Sequence, residues 1–147
     1  MTRAILATCL AAVLAALPAA AQDRVVATRN APEAIGPYSQ AIRVGNTLYL
    51  AGQIALDPAT NGMIADRSIE AETRQVLENL KAVVEAAGFT MADIVSTTVF
   101  MADLNEFGRM NAVYGTYFPT NPPARATVQA ARLPRDVKVE IAAIAAR

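Results

Sequence analysis

The segment from Val137 to Ala145 is apolar on both sides of a strand, with Val137, Val139, Ile141 and Ala143 alternating against Ala142 and Ile144. Successive side chains of a strand point to opposite faces, so such a strand must be covered on both. Helices can cover one face. The other, left apolar, has to be buried by association, and a closed symmetric oligomer does this without exposing edges.

The rest of the chain supplies the helices. Ser68 can cap a segment in which Ile69, Thr73, Val76, Leu77, Leu80, Val83, Val84 and Ala87 recur at helical spacing, and Gly88 stops it. Asp103 with Glu106 three residues on predicts a capping box for a second helix through Phe107, Met110, Tyr114, Tyr117 and Phe118, ended by Pro119. Strands are predicted at Arg24–Thr28, Tyr38–Val44, Thr47–Gly52, Ile94–Met101, Ala124–Ala130 and Val137–Ala145, with Gly45-Asn46 as a tight hairpin turn. The fold class is α+β, a sheet with two helices packed on one face.

Residues 1–21 read as a signal peptide rather than as part of that fold. Arg3 precedes an uncharged run from Ala4 to Leu17, and Ala19 and Ala21 satisfy the small-residue cleavage rule. The run falls short of the about 20 residues a membrane span needs. The expectation is a periplasmic or secreted protein of residues 22–147, with no membrane association once the leader is cleaved. Removing residues 1–21 leaves 126 of 147 residues, 12 of the 13 basic side chains and all 13 acidic ones, which is one domain with no excess charge to attract nucleic acid. The chain contains no histidine, which excludes Ser-His-Asp and Cys-His catalysis and removes the commonest zinc ligand. No GxGxxG or GxxxxGK spacing occurs, so a phosphate-cradling loop is not predicted.

Glu140 is a carboxylate set among apolar residues, a costly placement without a partner. Arg125, fixed behind Pro122-Pro123, is the obvious cation to lie near it or near its ligand. A plain ion pair between strands and a functional role both remain open from these two residues. Tyr38 after Gly36-Pro37 and Asn111 beside Met110 and Tyr114 read as structural on their own, and Arg109, Arg132 and Arg135 as surface charges.

The segments IGPYSQA, GQIALDP, QVLENLKAVVEAAG, TTVFMADLNEF, MNAVYGTYF, PAR and LPRDVKVEIAAIA, in that order, cover nearly all of residues 22–147 and resemble the RidA (YjgF) family. The resemblance implies a chorismate-mutase-like fold, a homotrimer whose sheets form a central barrel, and ligand clefts between subunits. It also implies a cofactor-free hydrolysis of amino-acid-derived enamines and imines to 2-oxo acids and ammonia. By the same resemblance Arg125 grips the carboxylate of a small substrate, Glu140 positions and activates water, Tyr38 helps close the pocket and Asn111 offers polar contacts. Thr127 stands where the family commonly has Cys or Ser, Ala51 where it usually has Ser, and the loop before Pro122 is a few residues shorter. These departures and the leader motivate an alternative, a non-catalytic trimer that binds small carboxylates or partner proteins in the same clefts. Ribonuclease activity, claimed for some relatives, is disfavoured by the missing histidine and the lack of a basic stripe.

Overall fold

The computed structural model describes residues 24–147; the leader expected at 1–21 lies outside the described residues. The strands are β1 (Val25–Val26), β2 (Ala41–Val44), β3 (Thr47–Gln53), β4 (Ile94–Met101), β5 (Ala124–Gln129) and β6 (Val139–Ala146), and the helices are α1 (Ile69–Ala86) and α2 (Phe107–Tyr117). They build one six-stranded sheet in the order β1-β2-β3-β6-β4-β5, with both helices on one side. All pairings are antiparallel except β4 with β5, which is parallel.

Local chemistry sets the boundaries. Gly45-Asn46 joins β2 to β3 as a two-residue turn, and only Gly45 takes a positive φ, +59°, the pattern of a type II′ hairpin. Ser68 caps α1, its hydroxyl accepting the Ala71 N–H at 3.3 Å, and Gly88 leaves the helix with φ +77°. The strand expected from Tyr38 begins instead at Ala41. Tyr38 is folded into a loop in which its hydroxyl accepts the Ile35 N–H at 3.2 Å and its own N–H donates to the Gly36 carbonyl at 2.8 Å.

The capping box expected at Asp103 and Glu106 does not form. Asp103 accepts the Asn105 N–H at the start of a one-turn 3-10 helix, Leu104–Glu106, that leads into α2. Glu106 turns instead to cations, accepting from Lys138 Nζ at 2.8 Å and Arg109 at 3.2 Å, because a full charge attracts it more strongly than an exposed backbone amide. A capping box does form one turn before β4, between Thr90 and Asp93.

The core lies between the sheet and the helices. Val76, Leu77, Leu80, Val83 and Val84 of α1 and Met110 and Tyr114 of α2 are buried against Leu48, Leu50, Val99, Met101, Val139, Ile141 and Ala143. Each fully buried Leu or Ile contributes about 1.5–3 kcal/mol relative to an exposed one. Among the described residues none forms a layer over the opposite face. Tyr49 and Ile144, directly opposite each other, share it with Val44 and Val128, and Tyr49, Val44 and Val128 are each close to half exposed. The alternation along β6, buried on the helix side and half-buried on the other, is the pattern expected of its sequence.

Candidate functional site

The five residues singled out by sequence fall into two groups on opposite faces of the sheet. Arg125, Thr127 and Asn111 lie on the helix side, whereas Glu140 and Tyr38 lie at the edge of the open face.

On the helix side, Pro122-Pro123 deliver the chain into β5, and Arg125 is the second residue of that strand. Its neighbour across the ladder is Thr97, whose hydroxyl shares a 2.8 Å hydrogen bond with the Tyr114 hydroxyl. The Arg125 guanidinium lies 4.6 Å from the Tyr114 ring centre and 5.6 Å from that of Phe107, within cation–π range of both. Phe107, Asn111 and Tyr114 stand at i, i+4 and i+7 of α2, so Asn111 sits between the two rings that hold the guanidinium. Burial pushes the Tyr114 hydroxyl upward in pKa, opposed by its contacts with Thr97 and Arg125. Thr127 follows on the same side of β5, and its hydroxyl is buried with no hydrogen-bond partner. An arginine stacked on two rings beside an idle hydroxyl and an unengaged amide has the donors and the charge to receive a small anion.

At the other face, Glu140 projects from β6 opposite Phe100 of β4. On its other flank β3 carries a one-residue bulge, because Leu50 pairs with Ala143 and Gln53 with Ile141. Gly52 sits in that bulge, and the carboxylate lies across it: a Cβ there would come within 3.0 Å of the Glu140 Cδ and overlap Oε1. Ile35, Tyr38, Ala51, Ile54 and Pro134 complete a cleft of about 290 Å³ around the carboxylate. Burial raises the Glu140 pKa above the ordinary glutamate range. A carboxylate held this way keeps its proton more tightly than one in water, which suits it to exchange a proton with a neighbouring group.

Of the two readings the sequence left open, a plain ion pair between Arg125 and Glu140 is not made. β4 lies between their strands, and the register separates them by two strand spacings and three residues, roughly 10 Å in each direction. They also point to opposite faces, since Arg125 shares its side with the buried Thr97 and Glu140 shares its own with Phe100. No ion pair among the described residues involves either. Arg109, Arg132 and Arg135 behave as surface charges: Arg109 pairs with Glu70 and Glu106, Arg132 with Asp136, and Arg135 donates to the Asn61 carbonyl.

Sequence reasoning did not assign Phe107, Tyr114 or Gly52 to the site. The i, i+4, i+7 spacing around Asn111 carried the signal for the two rings. Gly52 carried none, because its role arises from a long-range approach.

Comparison with known proteins places these residues in context. The model of the family described as Endoribonuclease L-PSP matches residues 28–147. A RutC family protein of Pyrococcus horikoshii is 54% identical over 121 residues, 82% of this chain and 95% of the relative. A 2-iminobutanoate/2-iminopropanoate deaminase of Salmonella typhimurium is 50% identical over 128 residues, 85% of this chain and 98% of the relative. Among solved structures, the YjgF gene product of E. coli superposes with a TM-score of 0.79 at 51% identity, covering 84% of this chain and 98% of that one. E. coli TdcF with bound serine gives 0.79 at 45% identity, with the same two coverages.

Proposed function

Because the chain belongs to the RidA (YjgF) family, we propose that it hydrolyses small imines and enamines derived from amino acids to 2-oxo acids and ammonia, in clefts between subunits of a homotrimer. The observation that carries this reading is the separation of Arg125 from Glu140. Each is chemically prepared and lacks a charge partner among the described residues, so a site that uses both draws them from two copies. The apolar open face around Tyr49, Ile144, Val44 and Val128 supplies the reason for copies to associate.

In the assembled cleft Arg125 binds the substrate carboxylate with two parallel N–H donors, steadied by Phe107 and Tyr114. The Thr127 hydroxyl and the Asn111 amide are free to donate to the same ligand. Glu140 accepts a proton from water as the water oxygen adds to the imine carbon. That proton is passed to nitrogen to give a carbinolamine; Glu140 next takes the proton of the new hydroxyl and delivers it to the amino group, so that the C–N bond breaks, ammonia leaves and the C–O bond becomes the carbonyl of a 2-oxo acid. The raised pKa of Glu140 serves both the acceptance and the return of the proton. Tyr38 closes the cleft beside it. Residues 1–21 are proposed as a cleaved leader, so that this chemistry takes place outside the cytoplasm.

The test is ammonia release from an imine generated in situ by an amino-acid oxidase, with and without the protein. The proposal predicts acceleration that Arg125→Ala largely removes at imine concentrations below KM; equal rates with and without protein sink it. Mixing and refolding Arg125→Ala with Glu140→Gln chains tests the shared cleft, since random assembly leaves about a quarter of clefts with both native residues. Recovery of a comparable fraction of activity is expected, and none is expected if both groups act within one chain. Binding of 2-oxobutyrate in calorimetry without turnover of the imine would favour the binding-only alternative, for which the idle Thr127 hydroxyl is the supporting observation.

A further inference from the structure

We infer that the Arg67–Glu72 pair positions Glu140, gripping the backbone of the turn and strand start from which that carboxylate projects. The inference rests on the reading of Glu140 as the group that directs water. Glu72 lies in the first turn of α1 and is wholly buried. Its Oε1 accepts from Arg67 Nε at 2.5 Å, and its Oε2 accepts from the Lys138 N–H at 2.6 Å. Arg67 Nη2 donates in turn to the Asp136 carbonyl at 2.9 Å. The pair therefore holds the main chain at residues 136 and 138, the second of them two positions before Glu140.

Stability alone is a weak reason for this arrangement, because Arg67 is 40% exposed and solvent weakens its attraction for the buried Glu72. What the pair holds explains it better. Residues Pro134–Asp136 form a 3-10 turn in which Arg135 and Asp136 both have φ +54°, a region that side chains other than glycine rarely occupy. Such a turn persists only when its surroundings over-determine it. Its side-chain ties from Arg132 to the Asp136 carboxylate, Arg135 to the Asn61 carbonyl and Arg67 to the Asp136 carbonyl are exposed, Leu133 and Val137 pack into an apolar cluster on either side of it, and the buried Glu72 carboxylate holds the main chain just beyond it. Pro134 of this turn is a wall of the Glu140 cleft. Releasing the Glu72 carboxylate from Arg67 and the Lys138 N–H would let the turn relax, move Pro134 away and open the cleft to water.

Lys138 extends the connection. Its ammonium reaches Glu106 at 2.8 Å, the residue before Phe107, so the same node touches the start of the helix on which Arg125 stacks.

The groups facing Glu140 are few. The loop before β2 contributes Tyr38, β3 contributes Ala51 and Gly52, β4 contributes Phe100, and the turn contributes Pro134. Tyr38 is the one titratable side chain among them, so the closeness of the walls rather than a neighbouring charge sets the ionisation of Glu140.

The experiment uses the full chain in its native assembly with Glu72→Gln, which keeps the shape but offers one acceptor where two are needed. The Glu140 carboxyl is followed by carbon NMR titration, its signal assigned by its disappearance in Glu140→Gln. The expected result is a Glu140 midpoint lowered toward the ordinary glutamate value. A fall in kcat on the order of tenfold should accompany it, with KM within about twofold. An unmoved midpoint overturns the inference, whatever the change in melting temperature. If Glu140→Gln itself hydrolyses the imine at the native rate, the water-directing role fails, while the titration still decides the positioning. Should Glu72→Gln not fold, Arg67→Lys replaces it. A lysine keeps a charge beside Glu72 without the fork that also reaches Asp136, and the same lowered midpoint supports the inference while an unmoved one overturns it.

Discussion

The two halves of the proposed site are built on opposite logics. Arg125 is stabilised where it stands, with two aromatic rings against its guanidinium and a hydrogen-bonded Thr97–Tyr114 pair behind them. Glu140 is destabilised where it stands, half-buried over a glycine and facing an apolar wall, with no cation beside it. The difference teaches that binding and proton transfer ask for different environments. An anchor works best when its own conformational freedom is already spent, whereas a base works best when its proton is held more tightly than in water.

Glu140→Gln is the sharpest way to break this contrast. It should lower kcat by at least about a hundredfold, the scale of a lost general base, and should raise the melting temperature at neutral pH. The sign follows from the raised pKa. The native state binds the Glu140 proton more tightly than the unfolded chain, so ionisation costs stability as pH rises through the native pKa. The melting-temperature gain should therefore be present at neutral pH and vanish below the unfolded glutamate pKa. Scanning calorimetry of both proteins across pH would show it, and a gain independent of pH would contradict the proposed cost. For the native enzyme, kcat should fall on the acid side at a pH above that of an ordinary glutamate.

Arg125→Ala should act on KM, weakening carboxylate binding by about ten- to a hundredfold, the equivalent of about 1.5–3 kcal/mol for hydrogen bonds to a charged group. Steady-state kinetics separates this from the Glu140 variant, whose defect should lie in kcat. Gly52→Ala should lower kcat by about tenfold, because the added methyl group must push the carboxylate out of place. Its circular dichroism should remain native. The smallest effect expected is that of Tyr114→Phe. It removes the hydrogen bond to Thr97 but keeps the ring under Arg125, for a loss of about 1 kcal/mol in stability and a few-fold change in KM.

Most of the layered arrangement was legible in local patterns. The helical spacing from Ile69, the Gly45-Asn46 turn and the β-branched run Ile94–Met101 each identified an element, and the two-sided apolarity of the last strand foretold an uncovered face. Strand order was not legible. Nothing in the local sequence indicates that β6 enters between β3 and β4, or that β5 pairs in parallel with β4, because register across a sheet is a long-range property. That is why Arg125 and Glu140 seemed neighbours when they are two strands apart. The residues of the two half-sites were reached through family resemblance, and the role of Glu72 was not legible, since burial and partners across 66 positions leave no trace in spacing.

The position of β6 also governs how the protein comes into being. It is the last strand to be synthesised, yet it occupies the middle of the sheet, flanked by β3 on one side and β4 on the other. Until it arrives, the hairpin half and the β4–β5 half have no shared hydrogen bonds, and the helices have no continuous floor to rest on. Folding is thereby deferred until β6 has been made and is all-or-none, with its decisive contacts among the most distant in sequence. A ribosome paused before Val139 would hold an unfolded chain, and clipping the C-terminal segment would unmake the whole domain rather than shorten it.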